Sequence, residues 1–243
     1  MFLAVIIPVY LTTEEHLRNT AGALNSFRTA HPHRIFLLVN RSHGYEKELD
    51  AIRTLCGDDA HLIFNPEPKS VAATWNQGLA LGLDAEADKF LVLNNDIVLK
   101  PNCPDRLLSF AGEHPEFILV SGQPYHEPAT LASAPESEEW NLGADYSCFL
   151  TGPSLVEEVG PFDENFRPAY FEDMDMHRRI FMSGRRTASF GGARFYHHTA
   201  RTTASDPDLR AAGNANFARN LAYYTRKWGG PPREEKFTRP FGG

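Results

Sequence analysis

The chain has 243 residues, 42% of them apolar and 23% charged, a composition that fits a sizeable globular α/β domain and excludes a disordered chain. Acidic residues outnumber basic ones 31 to 24, giving a formal charge of -7, and no basic run stands out, so nucleic acid is not an expected partner. Cys56, Cys103 and Cys148 stand far apart without a CxxC pair, which argues against zinc and disulfides and for reduced thiols in the cytoplasm.

The N-terminal MFLAVIIPVY is too short to span a bilayer and lacks the basic flank of a signal peptide. It reads as a buried first strand. Apolar runs recur at 2–8, 35–40, 61–65, 90–94 and 117–121, and continuous apolarity predicts strands covered on both faces. Helical patterns lie between them, at 14–30, 45–56, 70–82 and 104–113. In the third, Val71, Trp75, Leu79 and Gly82 recur at helical spacing behind Ser70, a suitable N-cap. Strand alternating with helix implies a mostly parallel, Rossmann-like central sheet flanked by helices. From 123 to 141 the composition turns to Pro, Ser, Ala and Glu and reads as a long surface loop, either functional or a simple insertion. A short helix is expected at 154–159, a further helix from Glu172, a strand at 193–198 and a last helix at 211–227. Residues 229–243 hold too much Gly and Pro for regular structure.

Ligands of open parallel sheets sit beyond the carboxyl ends of the strands. The residues there are Pro8, Val9 and Tyr10, then Asn40, Asn65, and Asn94, Asn95 and Asp96. No GxGxxG or GxxxxGK[ST] follows any strand, which argues against a dinucleotide site and a P-loop. Asp96 at a strand end is suited to a hard divalent cation shared with substrate phosphates; an Asx turn is the plainer explanation. Glu172, Asp173 and Asp175 open a helix whose dipole favours their charge, and Met176 and Ile180 would face the core. The dipole does not account for the Pro- and aromatic-rich approach FDENFRPAYF. His197 and His198 end an apolar run and point to opposite faces of a strand, so one of them at most enters a given site.

Taken in order, VIIPVY, VAATWNQGLALG, LVLNNDIVLKP, VGPFDENFRPAYFEDMDMHRR, FYHHTARTT and YYTRKWGG resemble the segments of GT-A fold glycosyltransferases of family 2, of the non-processive, rhamnosyltransferase-like type. The resemblance implies one catalytic domain over 1–228, with a nucleotide half to about 122 and an acceptor half beyond. It implies inverting transfer of a hexose or deoxyhexose from a nucleotide sugar, UDP by default with dTDP and GDP as alternatives. A glycan or glycolipid hydroxyl would receive it, as in polysaccharide biosynthesis, in the cytoplasm or at the inner face of a membrane. Pro8, Val9, Tyr10, Asn40, Asn76, Asn94, Asn95 and Asp96 would hold the nucleotide. Asp96, with His197 as first choice and His198 as second, would hold Mn²⁺ or Mg²⁺. Asp173 would be the base and Glu172 would orient the acceptor or that base. Trp140, Tyr146 and Phe171 are candidates for stacking on a sugar, or core residues. Asn94 stands where the family has a carboxylate, Asn40 where it has an Asp that contacts the base, and there is no QxxRW. A nucleotidyltransferase and a non-catalytic glycan-binding homologue are the alternatives; PVYLTTEEH lacks the Gly-rich basic loop that the first needs.

Overall fold

The computed structural model of the chain describes all residues but 42–43, 56–59, 136 and 199–206, and leaves the side chains of 41, 52, 55 and 207–212 undescribed. The first half alternates β1 (Leu3–Tyr10), α1 (Glu14–Ser26), β2 (His33–Arg41), α2 (Glu46–Leu55), β3 (Ala60–Phe64), α3 (Val71–Asp84), β4 (Lys89–Leu93), β5 (Ile97–Leu99) and α4 (Cys103–Glu113). The second holds β6 (Phe117–Tyr125), α5 (Pro128–Ser133), β7 (Trp140–Leu142), β8 (Cys148–Thr151), α6 (Pro153–Glu158), α7 (Glu172–Met182), β9 (Arg186–His197) and α8 (Pro207–Trp228). Among the described residues the nine strands form one sheet in the order β3-β2-β1-β4-β8-β6-β9-β5, with β7 on the edge of β9.

The sheet is parallel across β3, β2, β1 and β4 and mixed beyond, where β8 runs antiparallel to both β4 and β6. Apolar runs report that both faces of a strand are covered; they do not report its direction. The period-two alternation of side chains sorts the core into two layers. Leu3, Val5, Ile7 and Val9 of β1 pack on one side with Leu24 of α1, Leu49 of α2 and Leu107 of α4. Ala4 and Ile6 pack on the other with Trp75 and Leu79 of α3, Leu155 of α6, and Met176 and Ile180 of α7.

Two features fix α3 against the sheet. Ser70 Oγ caps its start, accepting from Ala73 N–H at 3.2 Å. Gly78 lets its backbone come so close that an added Cβ would sit 2.2 Å from Ile6 Cγ2. The start of α3 thereby lies beside the carboxyl ends of β1, β2 and β4.

The segment from 123 to 141, expected as a loop, holds regular elements among its described residues. β6 runs on to Tyr125 by pairing with β9, α5 and β7 follow, and Arg194 of β9 donates to the carbonyls of Ala134 and Pro135 at 2.7 and 2.8 Å. These elements depend on long-range partners, which local composition does not reveal. The tail after α8 is irregular apart from a single turn, Pro240–Gly242, yet it is anchored. Lys236 and Phe237 N–H both donate to Trp228 O at 3.0 Å, and Arg178 donates to Phe237 O at 2.8 Å. No helix among the described residues is long and apolar enough to cross a membrane.

Candidate active site

Two adjoining cavities open at the carboxyl ends of the central strands. The smaller, about 320 Å³, is lined by Pro8, Val9 and Tyr10 after β1, Asn40 of β2, Lys69, Thr74 of α3, and Asn94, Asn95 and Asp96 after β4. The strand-end residues singled out from the sequence thus come together in this lining, except Asn65, which bonds to Asn40; Lys69 joins them without a sequence signal of its own. Asn40 sits in an amide network: it donates to Thr74 Oγ1 at 2.8 Å and accepts from Asn65 Nδ2 at 3.0 Å and Lys69 N–H at 3.2 Å. Asn95 donates to Thr20 Oγ1 at 2.9 Å, which braces the strand end against α1.

Asn76, which the resemblance placed at the nucleotide, is not among the residues that line either cavity. Its amide donates to Phe162 O and Glu164 Oε1, both at 2.9 Å, and accepts from Phe162 N–H at 2.8 Å. It clasps the FDE approach segment to α3.

The antiparallel pairing of β5 with β9 sets Ile97 opposite His197 and carries the histidine ring to the strand-end acid. His197 Nε2 lies 3.3 Å from Asp96 Oδ1. His198 contributes its backbone, N–H donating to Asp96 O at 2.9 Å, while its ring packs edge-on against Tyr196. A carboxylate oxygen facing an imidazole nitrogen is a donor pair suited to a divalent cation such as Mn²⁺. Among the described residues no group of three or more His, Cys, Asp or Glu forms a closed metal cage, so this pair would share a cation with a ligand's own oxygens.

The larger cavity, about 550 Å³, shares Val71, Trp75, Asn94 and Ala169 with the first and reaches Glu172 and Asp173 at the start of α7. The chain enters α7 through Tyr170 and Phe171, both with positive φ, 83° and 74°. Non-glycine residues hold that conformation only when their surroundings impose it. Here Phe171 is buried in a cluster with Phe166, Tyr224 and Trp228, and Asn220 of α8 donates to the carbonyls of Ala169 and Tyr170 at 2.8 and 3.1 Å. The aromatic approach therefore sets the aim of the first turn.

The three acids of that turn divide into two roles. Asp175 is fully buried and faces away from the cavity. It pairs with Arg179 at 2.9 Å and Lys227 at 2.6 Å and accepts from Trp228 Nε1 at 2.9 Å, so it holds α8 to α7. Glu172, only 6% exposed, leaves Oε2 without a hydrogen-bond partner. Burial, helped by the charge of Asp173, pushes its carboxyl from 4.5 up to about 8. Asp173 Oδ1 accepts from Met174 N–H at 2.8 Å, but burial outweighs that bond and raises its pKa too. At Glu172 and Asp173 desolvation is the largest influence and raises both carboxyls despite their place in a first helical turn.

Asp145, which the sequence reading passed over, also lines this cavity. Its Oδ1 accepts from Ser147 N–H at 2.8 Å and from the Ser147 hydroxyl. The D-x-S spacing of such a turn was visible but common. Tyr146 and Phe171 contribute walls. Trp140 does not; it packs at the far edge of the sheet, 5.1 Å from the ring of Phe117.

This arrangement was compared with known proteins. The chain superposes on the crystal structure of GalNAc-T7 with UDP, GalNAc and Mn²⁺ with a TM-score of 0.66 at 11% identity, over 94% of this chain and 49% of that one. It superposes on S. aureus TarS 1–349 with a TM-score of 0.59 at 13% identity, over 81% of this chain and 60% of that one. Both neighbours are GT-A fold glycosyltransferases. The chain has the GT-A fold. It spans about half the length of the first neighbour and 60% of the second. No protein-family model and no curated protein matches it. In this GT-A chain the strand-end cavity and the α7 cavity meet at Asn94 and Trp75.

Proposed function

We propose that the chain is an inverting glycosyltransferase of the family 2 type that moves a hexose or deoxyhexose from a nucleotide sugar to a hydroxyl of a glycan or glycolipid. One observation carries the reading: a cavity lined by strand-end amides and Asp96 shares a wall with a cavity that holds two carboxyl groups of raised pKa. The first suits a nucleotide diphosphate and the second suits an attacking hydroxyl. UDP is the default nucleotide, and the GalNAc-T7 structure contains UDP with Mn²⁺.

In this reading Pro8, Val9 and Tyr10 wall the nucleotide, and the amide network around Asn40 shapes the end of its pocket. Asp96 and His197 would hold Mn²⁺ or Mg²⁺, which when bound supplies Lewis-acid compensation for charge on the departing diphosphate. Asp173, ionised, takes the proton of the acceptor hydroxyl as its oxygen bonds to the anomeric carbon. The bond from that carbon to the diphosphate breaks on the opposite side, and the configuration inverts. A raised pKa makes the ionised carboxylate the better proton acceptor near neutral pH. Glu172 keeps its proton and orients the acceptor or Asp173 beside it.

The test is product analysis with UDP-, dTDP- and GDP-sugars, Mn²⁺, and glycan and glycolipid acceptors. Release of a nucleoside diphosphate with a new glycoside of inverted anomeric configuration is expected. Release of pyrophosphate would assign nucleotidyl transfer instead, and a retained configuration would overturn the role given to Asp173.

A further inference from the structure

Asp173 and His177 stand four residues apart on α7, so their side chains rise from the same face of the helix. His177 is not among the residues that line the larger cavity, and both of its ring nitrogens bond to other elements. Resting on the assignment of Asp173 as the base, we propose that His177 is its positioning residue: a neutral imidazole that pins the first turn of α7 to the segment carrying Asp145 and Tyr146, a wall of the same cavity.

The bonds of the ring fix both its place and its tautomer. His177 Nε2 lies 3.1 Å from Ala144 O. A carbonyl oxygen only accepts, so Nε2 carries the proton. That leaves Nδ1 of the neutral ring as an acceptor, and the buried hydroxyl of Thr187 on β9 donates to it at 3.3 Å. Ala144 immediately precedes Asp145 and Tyr146, which line the cavity with Asp173. The His177 ring also meets Tyr146 edge-on, with centroids 5.0 Å apart and planes at 83°. One side chain thus joins α7, β9 and the cavity wall through three directional contacts.

Neutrality suits the place. Asp175 and Arg179, a second acid and base at the same spacing on α7, form an ion pair at 2.9 Å that serves packing. A permanent cation at position 177 would favour the ionised form of Asp173 and make it a weaker proton acceptor. Burial instead lowers the pKa of His177 below 6.5 and keeps the ring uncharged near neutral pH. The imidazole therefore sets direction while burial still raises the Asp173 carboxyl. Direction matters because a base misplaced by about 1 Å loses on the order of 10²-fold in rate.

The test uses whichever of the UDP-, dTDP- and GDP-sugars the wild type turns over with Mn²⁺, following nucleotide release with acceptor or with water in its place. Wild type is compared with His177→Leu, His177→Gln, Thr187→Val and Thr187→Ser, and calorimetric titration of the nucleotide counts the folded, binding-competent sites. His177→Leu is expected to lower kcat per binding site by about 10–100-fold. Its nucleotide affinity should stay within about twofold of wild type, because the strand-end cavity is untouched. His177→Gln, whose amide can still donate to Ala144 O, should recover kcat to within about fivefold of wild type. Thr187→Val should lower kcat at least about threefold, and Thr187→Ser, which keeps the hydroxyl, should not. A purely structural role would reduce the number of binding sites and leave kcat per site unchanged. Unchanged kcat per site in His177→Leu, or no recovery in His177→Gln, overturns the proposal. If His177→Leu does not fold, the Thr187 pair decides, and equal kcat in Thr187→Val and Thr187→Ser overturns it. Wild type that binds no nucleotide overturns the glycosyltransferase reading itself. Wild type that binds nucleotide but neither transfers nor hydrolyses the donor overturns the role of Asp173 and with it that of His177.

Discussion

At Glu172 and Asp173 one cause, burial, acts on two neighbouring acids that do different work. Asp173 is needed only while a proton is moving, so its removal belongs in kcat. Asp173→Asn is expected to lower kcat by about 10²–10⁴-fold with donor affinity within twofold of wild type, read from steady-state kinetics and titration. Near-normal turnover would contradict the assignment. Glu172 leaves a thermodynamic signature. Its folded pKa, about 8, stands above the ordinary 4.5, so the folded chain binds this proton more tightly than the unfolded one. That contribution to stability is complete below pH 4.5 and is lost as the pH rises through about 8. Glu172→Gln should therefore melt above wild type at pH 8, and the difference should shrink steadily as the pH falls toward 4.5. Parallel melting curves across that range would contradict the raised pKa.

Among the elements, α3 and α7 position the site, and they were legible to different degrees. The helical spacing of Trp75 and Leu79 and the Ser70 cap gave α3 within two residues of its observed ends. The glycines on its inner face record a close approach to β1. Gly78→Ala forces a methyl group against Ile6 and is expected to destabilise the fold by about 1–3 kcal/mol in urea titration. The start of α7 was recognisable from its acids, but their division was not. Asp175 differs from Asp173 through Lys227 and Trp228, 52 and 53 residues further on. α5 and β7 were missed for a related reason: a three-residue strand such as Trp140–Leu142 exists through its pairing with β9. The bonds of Asn76 to the Phe162 backbone likewise join residues 86 apart and could not be read from its own segment.

On the scale of the whole molecule, α8 closes the fold by charge as much as by apolar packing. Lys227, almost fully buried, meets Asp163 at 2.7 Å and Asp175 at 2.6 Å. The two carboxylates come from the FDE approach and from α7, so a single ammonium ties both to the last helix. The FDE and Lys-Trp-Gly segments, read from the sequence as family marks, meet physically in this network. Removing Lys227 leaves Asp163 without its ammonium and Asp175 with Arg179 as its remaining ion pair, and Lys227→Ala is expected to cost about 3–5 kcal/mol in chemical denaturation. A change under 1 kcal/mol would show that α8 is held mainly by its aromatic residues. The central claim, that the strand-end cavity is the donor half of a glycosyltransferase site, is tested most directly by calorimetric titration of UDP with and without Mn²⁺ on wild type and Asp96→Ala. UDP binding that Mn²⁺ strengthens at least tenfold in wild type, and no longer strengthens in Asp96→Ala, is the result expected. No binding of UDP, dTDP or GDP, or a metal dependence unchanged by the substitution, would contradict it.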